Sequence, residues 1–236
     1  MLFFLFDLFR SDPALAFRVA PFILTGLGAG LLLALSVHEF GHAWIASRLG
    51  DDTARSMGRV TLNPLKHLDP AGTFMFLVVG FGWGKPVPID SSMLRRGRRD
   101  VALVSAAGPA SNFIAAAVMG LLMRLYAVDP VYPQTLALDF SVTALMAMAF
   151  TYIVIYNLFL GFFNLIPLAP LDGSQVVFGI APPNIAEAML RFQPYAPTVL
   201  LGIVGLDIIL NLGILRSILL PPVQILGSLL VGQSLL

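Results

Sequence analysis

Between Asp139 and Asp172 the chain runs for 32 residues without an Asp, Glu, Lys, Arg or His. A helix crosses the hydrocarbon core of a bilayer with about 20 predominantly apolar residues, so this run is longer than one perpendicular span needs. Residues 19–37, 101–123 and 217–236 are also free of charge, and 193–215 contain only Asp207. The composition agrees. Hydrophobic residues make up 58% of the 236 and charged residues 11%, against about 25% charged in a typical soluble domain. The bilayer is the solvent such a chain fits. A formal net charge of +1 lacks the basic field that nucleic-acid binding needs, so nucleic acid is not an expected partner. With no cysteine, disulfides and thiolate metal sites are excluded.

The reading is an all-α polytopic membrane protein with about five to six transmembrane helices. Residues 70–83 are apolar but reach only about 21 Å as a helix, so they suit a re-entrant segment as well as a full span. The tail 217–236 contains Pro221 and Pro222 and either spans the membrane or lies on it. Short membrane-associated β-strands are expected at Arg59–Leu62 and Gly84–Ile89, the second because Pro86 and Pro88 exclude helix and suit an edge strand. Met1–Phe9 reads as an interfacial segment. Nine of the fourteen basic residues lie in 48–66 and 85–99. The positive-inside rule places both loops in the cytoplasm, which holds if 70–83 dips in and returns. The loop at 127–139 has two Asp and no base and suits the far side.

His38-Glu39-Phe40-Gly41-His42 is an HExxH pattern at the end of an apolar helix. Residues i and i+4 share a helix face, so both imidazoles reach one metal ion, and Glu39 can take a proton from a bound water. Ionisable groups at membrane depth are costly and usually functional. Catalytic zinc takes three protein ligands and a water, and with no cysteine a carboxylate is the expected third. Asp172 ends the long uncharged run behind Pro167 and Pro170, which break the helix and could turn it inward. Its alternative role is to cap the next short helix.

These elements resemble the site-2 protease family of intramembrane metalloproteases. His38–His42 matches the family's HExxH, Asn164–Gly173 its NxxPxxPLDG motif, and Gly108–Asn112 its GPxxN motif. The resemblance covers about residues 30–180. It implies one membrane-embedded protease domain over 1–236, with further membrane segments in 193–236. It implies His38, His42 and Asp172 as ligands of one Zn2+ per chain, and Glu39 as general base and acid. Asn112 and Asn164 are implied to hold substrate or stabilise the oxyanion. The expected activity is endopeptidase cleavage within the transmembrane helices of protein substrates, in the plasma membrane of a prokaryote, with the site toward the cytoplasm. The stretch from Gly58 to Pro88 looks like the compact branch of the family, without inserted PDZ or C-terminal CBS domains. A substrate strand is expected to add beside 84–89. His67 reads as a polar loop residue, and Asp207 and Asn211, one turn apart in the last clear helix, are expected to pair with each other or with Arg216. A membrane-anchored protease for soluble chains and a catalytically silent helix-binding adaptor are the rival readings.

Overall fold

The computed structural model describes residues 10–79, 82–132 and 141–235. The interfacial reading of Met1–Phe9 and most of the 127–139 loop lie outside them. The helices are α1 (Pro13–Leu49), α2 (Pro70–Val79), α3 (Arg98–Leu125), α4 (Val142–Asn164), α5 (Asp172–Ile180), α6 (Pro183–Phe192), α7 (Ala196–Leu210) and α8 (Ile214–Val231).

Their ends follow local chemistry. Asp12 caps α1 by accepting from the Leu15 N–H (3.0 Å), with Pro13 in the first turn, and Gly50 closes it at φ +114°, a conformation that favours glycine. Ser141 caps α4 through the Ala144 N–H. Asp69 caps α2 through the Gly72 N–H (2.8 Å). Buried Asp100, in the first turn of α3, reaches back to the backbone and side chain of Arg96.

Four helices are long and apolar enough to cross a membrane: Leu24–Leu49 of α1, then α3, α4 and α8. The expectation of five to six spans is therefore not met among the described residues, and the difference has a local cause. The run 193–215 is not one span, because α7 stops at Leu210 after 15 residues, about 22 Å. Asn211 and Gly213 turn the chain at positive φ. Asp207 pairs with neither Asn211 nor Arg216 but accepts from the Ile214 and Leu215 N–H groups (2.7 and 3.2 Å), capping α8. That helix continues through Pro221 and Pro222, so the tail is helical over a spanning length.

α1, α3 and α4 pack on one another, α5 packs on α3, and α8 closes on α3 and α4. Lipid tails are as apolar as leucine, so small residues must let membrane helices approach closely. Gly41 of α1 faces Ala107 and Ser111 of α3, Gly30 faces the Tyr152 backbone of α4, and Gly161 of α4 faces Phe113.

The expected strands do not form a sheet among the described residues. A single antiparallel bridge joins Leu68 to Gly84. Arg59–Leu62 is a loop, with Thr61 N–H turned onto Arg59 O. The 84–89 segment carries no pairing beyond that bridge: Pro86 and Pro88 have no N–H, the Lys85 N–H on His67 O (2.7 Å) is the bond of the bridge itself, and the Val87 N–H goes to Glu39 (3.1 Å). The bridge has a second consequence. It sets the two ends of 69–83 side by side, and Gly72 lies directly against the Trp83 backbone.

Candidate metal centre

α1 presents His38 and His42 on one face, one turn apart, at the level where α3 crosses it. Asp172 arrives from the other side. α4 ends at Asn164, residues 165–171 turn through Pro167 and Pro170, and Gly173 lets the chain fold hard against the Leu165 and Ile166 backbone, where a Cβ would collide. Asp172 thereby becomes the first residue of α5. The cap position belongs to Leu171 and no side chain caps α5, so the capping alternative for Asp172 does not describe its contacts.

Its Oδ2 lies 3.1 Å from His38 Nε2 and 3.2 Å from His42 Nε2, and the two Nε2 atoms are 3.2 Å apart. Four ligands around zinc at about 2.0–2.1 Å place neighbouring donors about 3.3–3.4 Å apart. The three atoms therefore form nearly one face of that tetrahedron. Asp172 Oδ2 is buried and without a hydrogen bond. Both imidazoles spend their Nδ1–H elsewhere: His42 on Val104 O (2.8 Å), His38 on Asn112 Oδ1 (2.6 Å). Two ring lone pairs and a carboxylate oxygen thus face one another, an arrangement that a cation resolves. The donor set fits zinc.

The surroundings leave room for the ion. Gly108 of α3 lies directly under the two rings, and a Cβ there would sit against His42 Nε2, 2.6 Å from His42 Cε1 and 2.8 Å from His38 Cε1. The His38 and His42 side chains are 6% and 8% exposed and that of Asp172 18%, so the carboxylate is the least enclosed of the three.

Glu39 is buried, and its Oε2 accepts from the Val87 N–H. That strand-like segment is itself clamped. Buried Arg59 donates from Nη2 to Lys85 O (2.5 Å) and Pro86 O (3.3 Å), and Asp51 accepts from the Asp90 N–H (2.7 Å). His67 is a fully buried loop residue, its Nε2 2.8 Å from Thr61 O.

The two asparagines separate. Asn112 is fully buried against His38, and its Nδ2 donates to Ala34 O (2.8 Å) and Asn157 Oδ1 (2.9 Å). Asn164 is half-buried at the end of α4 and donates to Leu160 O (3.0 Å). Gly108, Val87 and Asn157 were not assigned roles from sequence. The signal for Asn157 is an amide within a long uncharged run, where polar groups bond between helices, and that for Gly108 is its place at the head of the GPxxN motif; Val87 becomes visible only when the chain is folded.

The comparisons with known proteins agree with this construction. The model of peptidase family M50 matches residues 27–196, which hold every residue of the centre. The chain is 39% identical over 168 residues to YwhC of Bacillus subtilis (strain 168), which bears the name of a zinc metalloprotease; the match covers 70% of this chain and 73% of YwhC. It is 31% identical over 179 residues to Rip2 of Mycobacterium tuberculosis (strain ATCC 25618 / H37Rv), similarly named, over 73% of this chain and 64% of Rip2. No solved structure matches the chain at a significant level. With a family match over most of the sequence, and a donor triangle built from the HExxH and NxxPxxPLDG motifs, the chain belongs to peptidase family M50, the site-2 protease family.

Proposed function

We propose that this protein is a zinc-dependent intramembrane endopeptidase that hydrolyses peptide bonds in the transmembrane segments of other membrane proteins. The observation that carries the reading is the triangle of His38, His42 and Asp172 donors, with sides of 3.1–3.2 Å, set at the depth of spanning helices. It would take one Zn2+ per chain and leave a fourth position open. Bound there, zinc supplies a Lewis acid for the scissile carbonyl and lowers the pKa of water.

The remaining work belongs to the chain. Glu39 takes the proton of the attacking water and returns it to the leaving amine. The Val87 N–H holds one of its carboxylate oxygens and so sets the direction of the other. Asn112 holds His38 in the ring form that offers Nε2 to the metal. Asn164, at the end of α4 where the Asp172 loop begins, is the candidate for contact with the substrate or its oxyanion. A helical substrate must unwind before cleavage, because its carbonyls are occupied by internal hydrogen bonds. The extended 84–89 segment is the place for the opened strand, which would have to work around the contacts already made by Lys85 and Val87.

We place the protein in the plasma membrane of a prokaryote with the centre toward the cytoplasm. The basic loops at 48–66 and 85–99 support this, as does the Leu68–Gly84 bridge that holds both ends of 69–83 at one level. His38 and His42 then lie about 15 and 9 Å along the helix from Arg48. Cysteines introduced at Arg55 and Arg96 should be labelled from the cytoplasmic side only, and one at Val131 from the opposite side. Labelling of positions 55 and 96 from opposite sides would show that 70–83 crosses the membrane.

The reaction is tested by reconstitution with a helical membrane substrate, with zinc analysis on the same samples. Glu39→Gln should keep its zinc and its fold and lose about 10²–10⁴-fold in rate, the usual effect of removing a general base. Near-normal cleavage by this variant would sink the mechanism. Wild-type protein inert toward every membrane substrate but active on soluble unfolded chains would favour the anchored-protease reading instead.

A further inference from the structure

Asn157 lies near the middle of α4, fully buried, with no place in the donor triangle and no part in any of the three motifs. Its contacts make it the far end of a chain of oriented amides. Its Nδ2 donates to Ile153 O (2.8 Å), one turn earlier on the same helix. A backbone carbonyl only accepts, so this contact points the Asn157 oxygen outward, and that oxygen receives the Asn112 Nδ2–H (2.9 Å). The same Asn112 nitrogen also donates to Ala34 O on α1 (2.8 Å). Two acceptors on one side of the Asn112 amide fix which end is nitrogen. Its oxygen must then face His38 Nδ1, at 2.6 Å.

The consequence falls on the metal. A neutral imidazole carries one N–H and one lone pair. With an acceptor at Nδ1 the proton sits there, and Nε2 presents a lone pair toward His42 and Asp172. If the Asn112 amide turned over, its N–H would face Nδ1, the ring proton would move to Nε2, and the zinc-facing atom would become a donor that cannot ligate. His42 has no such weakness, because a main-chain carbonyl, Val104 O, holds its Nδ1. His38 relies on a side-chain amide, whose orientation depends in turn on its two acceptors, Ala34 O and Asn157 Oδ1.

We propose that Asn157 is a positioning residue for the metal centre: through Asn112 it locks the tautomer of His38 and thereby sets zinc affinity. The relay runs from Ile153 O on α4, through Asn157 and Asn112 on α3, to His38 on α1, so it also couples the mutual rotation of three helices to the ligand. The inference rests on the reading of His38 as a zinc ligand.

Zinc affinity is measured by chelator competition on purified protein in detergent, and tautomers by histidine ¹⁵N NMR of the zinc-free protein. Only His38, His42 and His67 contribute to that spectrum. Asn157→Leu should bind zinc about 10–100-fold more weakly, the usual cost of removing an outer support of a metal ligand. Its His38 signal should shift from Nδ1–H to a mixture, while His42 keeps Nδ1–H. Asn157→Asp should stay within a few-fold of wild type. Buried and neutral, it keeps a carbonyl oxygen toward Asn112 and an O–H toward Ile153 O. The His42 signal reports folding: if Asn157→Leu loses it, Asn157→Ala carries the same expectations. Wild-type affinity and an unchanged His38 tautomer in a folded Asn157→Leu or Asn157→Ala protein would overturn the relay. A wild-type protein that binds no zinc yet keeps the Nδ1–H form of His38 would overturn the metal assignment and not the relay.

Discussion

The helices that build the metal centre and those that end the chain are both strongly apolar, yet they are held in different ways. In α1, α3 and α4, 39–41% of each spanning window is buried, against 22% in α8. The polar contacts differ in kind as well. In the first group they run between helices: His38 to Asn112, Asn112 to Asn157 and Ala34, His42 to Val104. At the α7–α8 junction they are local, with Asp207 and Ser217 bonding to groups within eight residues. Glycines mark the close contacts: Gly30, Gly41, Gly108 and Gly161 each touch a neighbouring helix, as do Gly120 and Gly227 where α8 meets α3 and α4, whereas Gly202 and Gly205 of α7 have nothing within 4 Å of an added Cβ. Apolarity puts a helix in the bilayer, but between helices already there it supplies no preference for one face over another. Close approach at glycine, and buried polar groups that must find partners, supply that preference. Interhelical hydrogen bonds in membranes are worth about 0.6 kcal/mol on average and about 2 at most, so they select a rotation more than they supply bulk stability.

The sharpest break of this contrast is at the metal. Asp172→Ala should take zinc from about one per chain to near none and abolish cleavage, because two imidazoles without the carboxylate fall below the three ligands of a catalytic site. Metal analysis decides it, and a full complement of zinc in this variant would mean that the third ligand lies elsewhere. A smaller effect is expected one layer out. Gly108→Ala should weaken zinc binding about 10–100-fold by pressing a methyl against both rings, although alanine favours helix by about 1 kcal/mol. Gly202→Ala, the same exchange in α7, should leave zinc affinity unchanged and raise the unfolding temperature in detergent slightly. Equal effects at the two positions would erase the distinction between the regions. The smallest effect belongs to the junction. Asp207→Ala should cost about 1 kcal/mol of stability, as loss of a cap does, with zinc content and cleavage rate unchanged. A marked loss of zinc would show that α7 and α8 help to shape the centre.

Much of this protein is legible in its sequence, for a physical reason that can be stated residue by residue. Two histidines four apart on a helix must share a face, because that geometry is set by the backbone alone, so His38 and His42 could be read as a pair without any fold. The membrane class followed from runs without charge, and the arrival of Asp172 from the two prolines before it, which forbid continuing α4. Where expectation and structure differ, longer-range choices intervened. Strands were expected at 59–62 and 84–89 because their residues suit extension, but a ladder needs backbone donors: Pro86 and Pro88 have none, Val87 gives its own to Glu39, and Lys85 makes the bond of the isolated Leu68–Gly84 bridge. A span was expected over 193–215 because hydropathy does not see that Asp207 turns to cap the following helix. Which asparagine meets which histidine, which glycine clears space for the ion, and which backbone N–H restrains Glu39 depend on how far each helix is rotated about its axis. On helices that are apolar around most of their circumference the sequence pattern does not encode that rotation, and the tertiary structure decides it by bringing the buried amides of Asn112 and Asn157 to their acceptors.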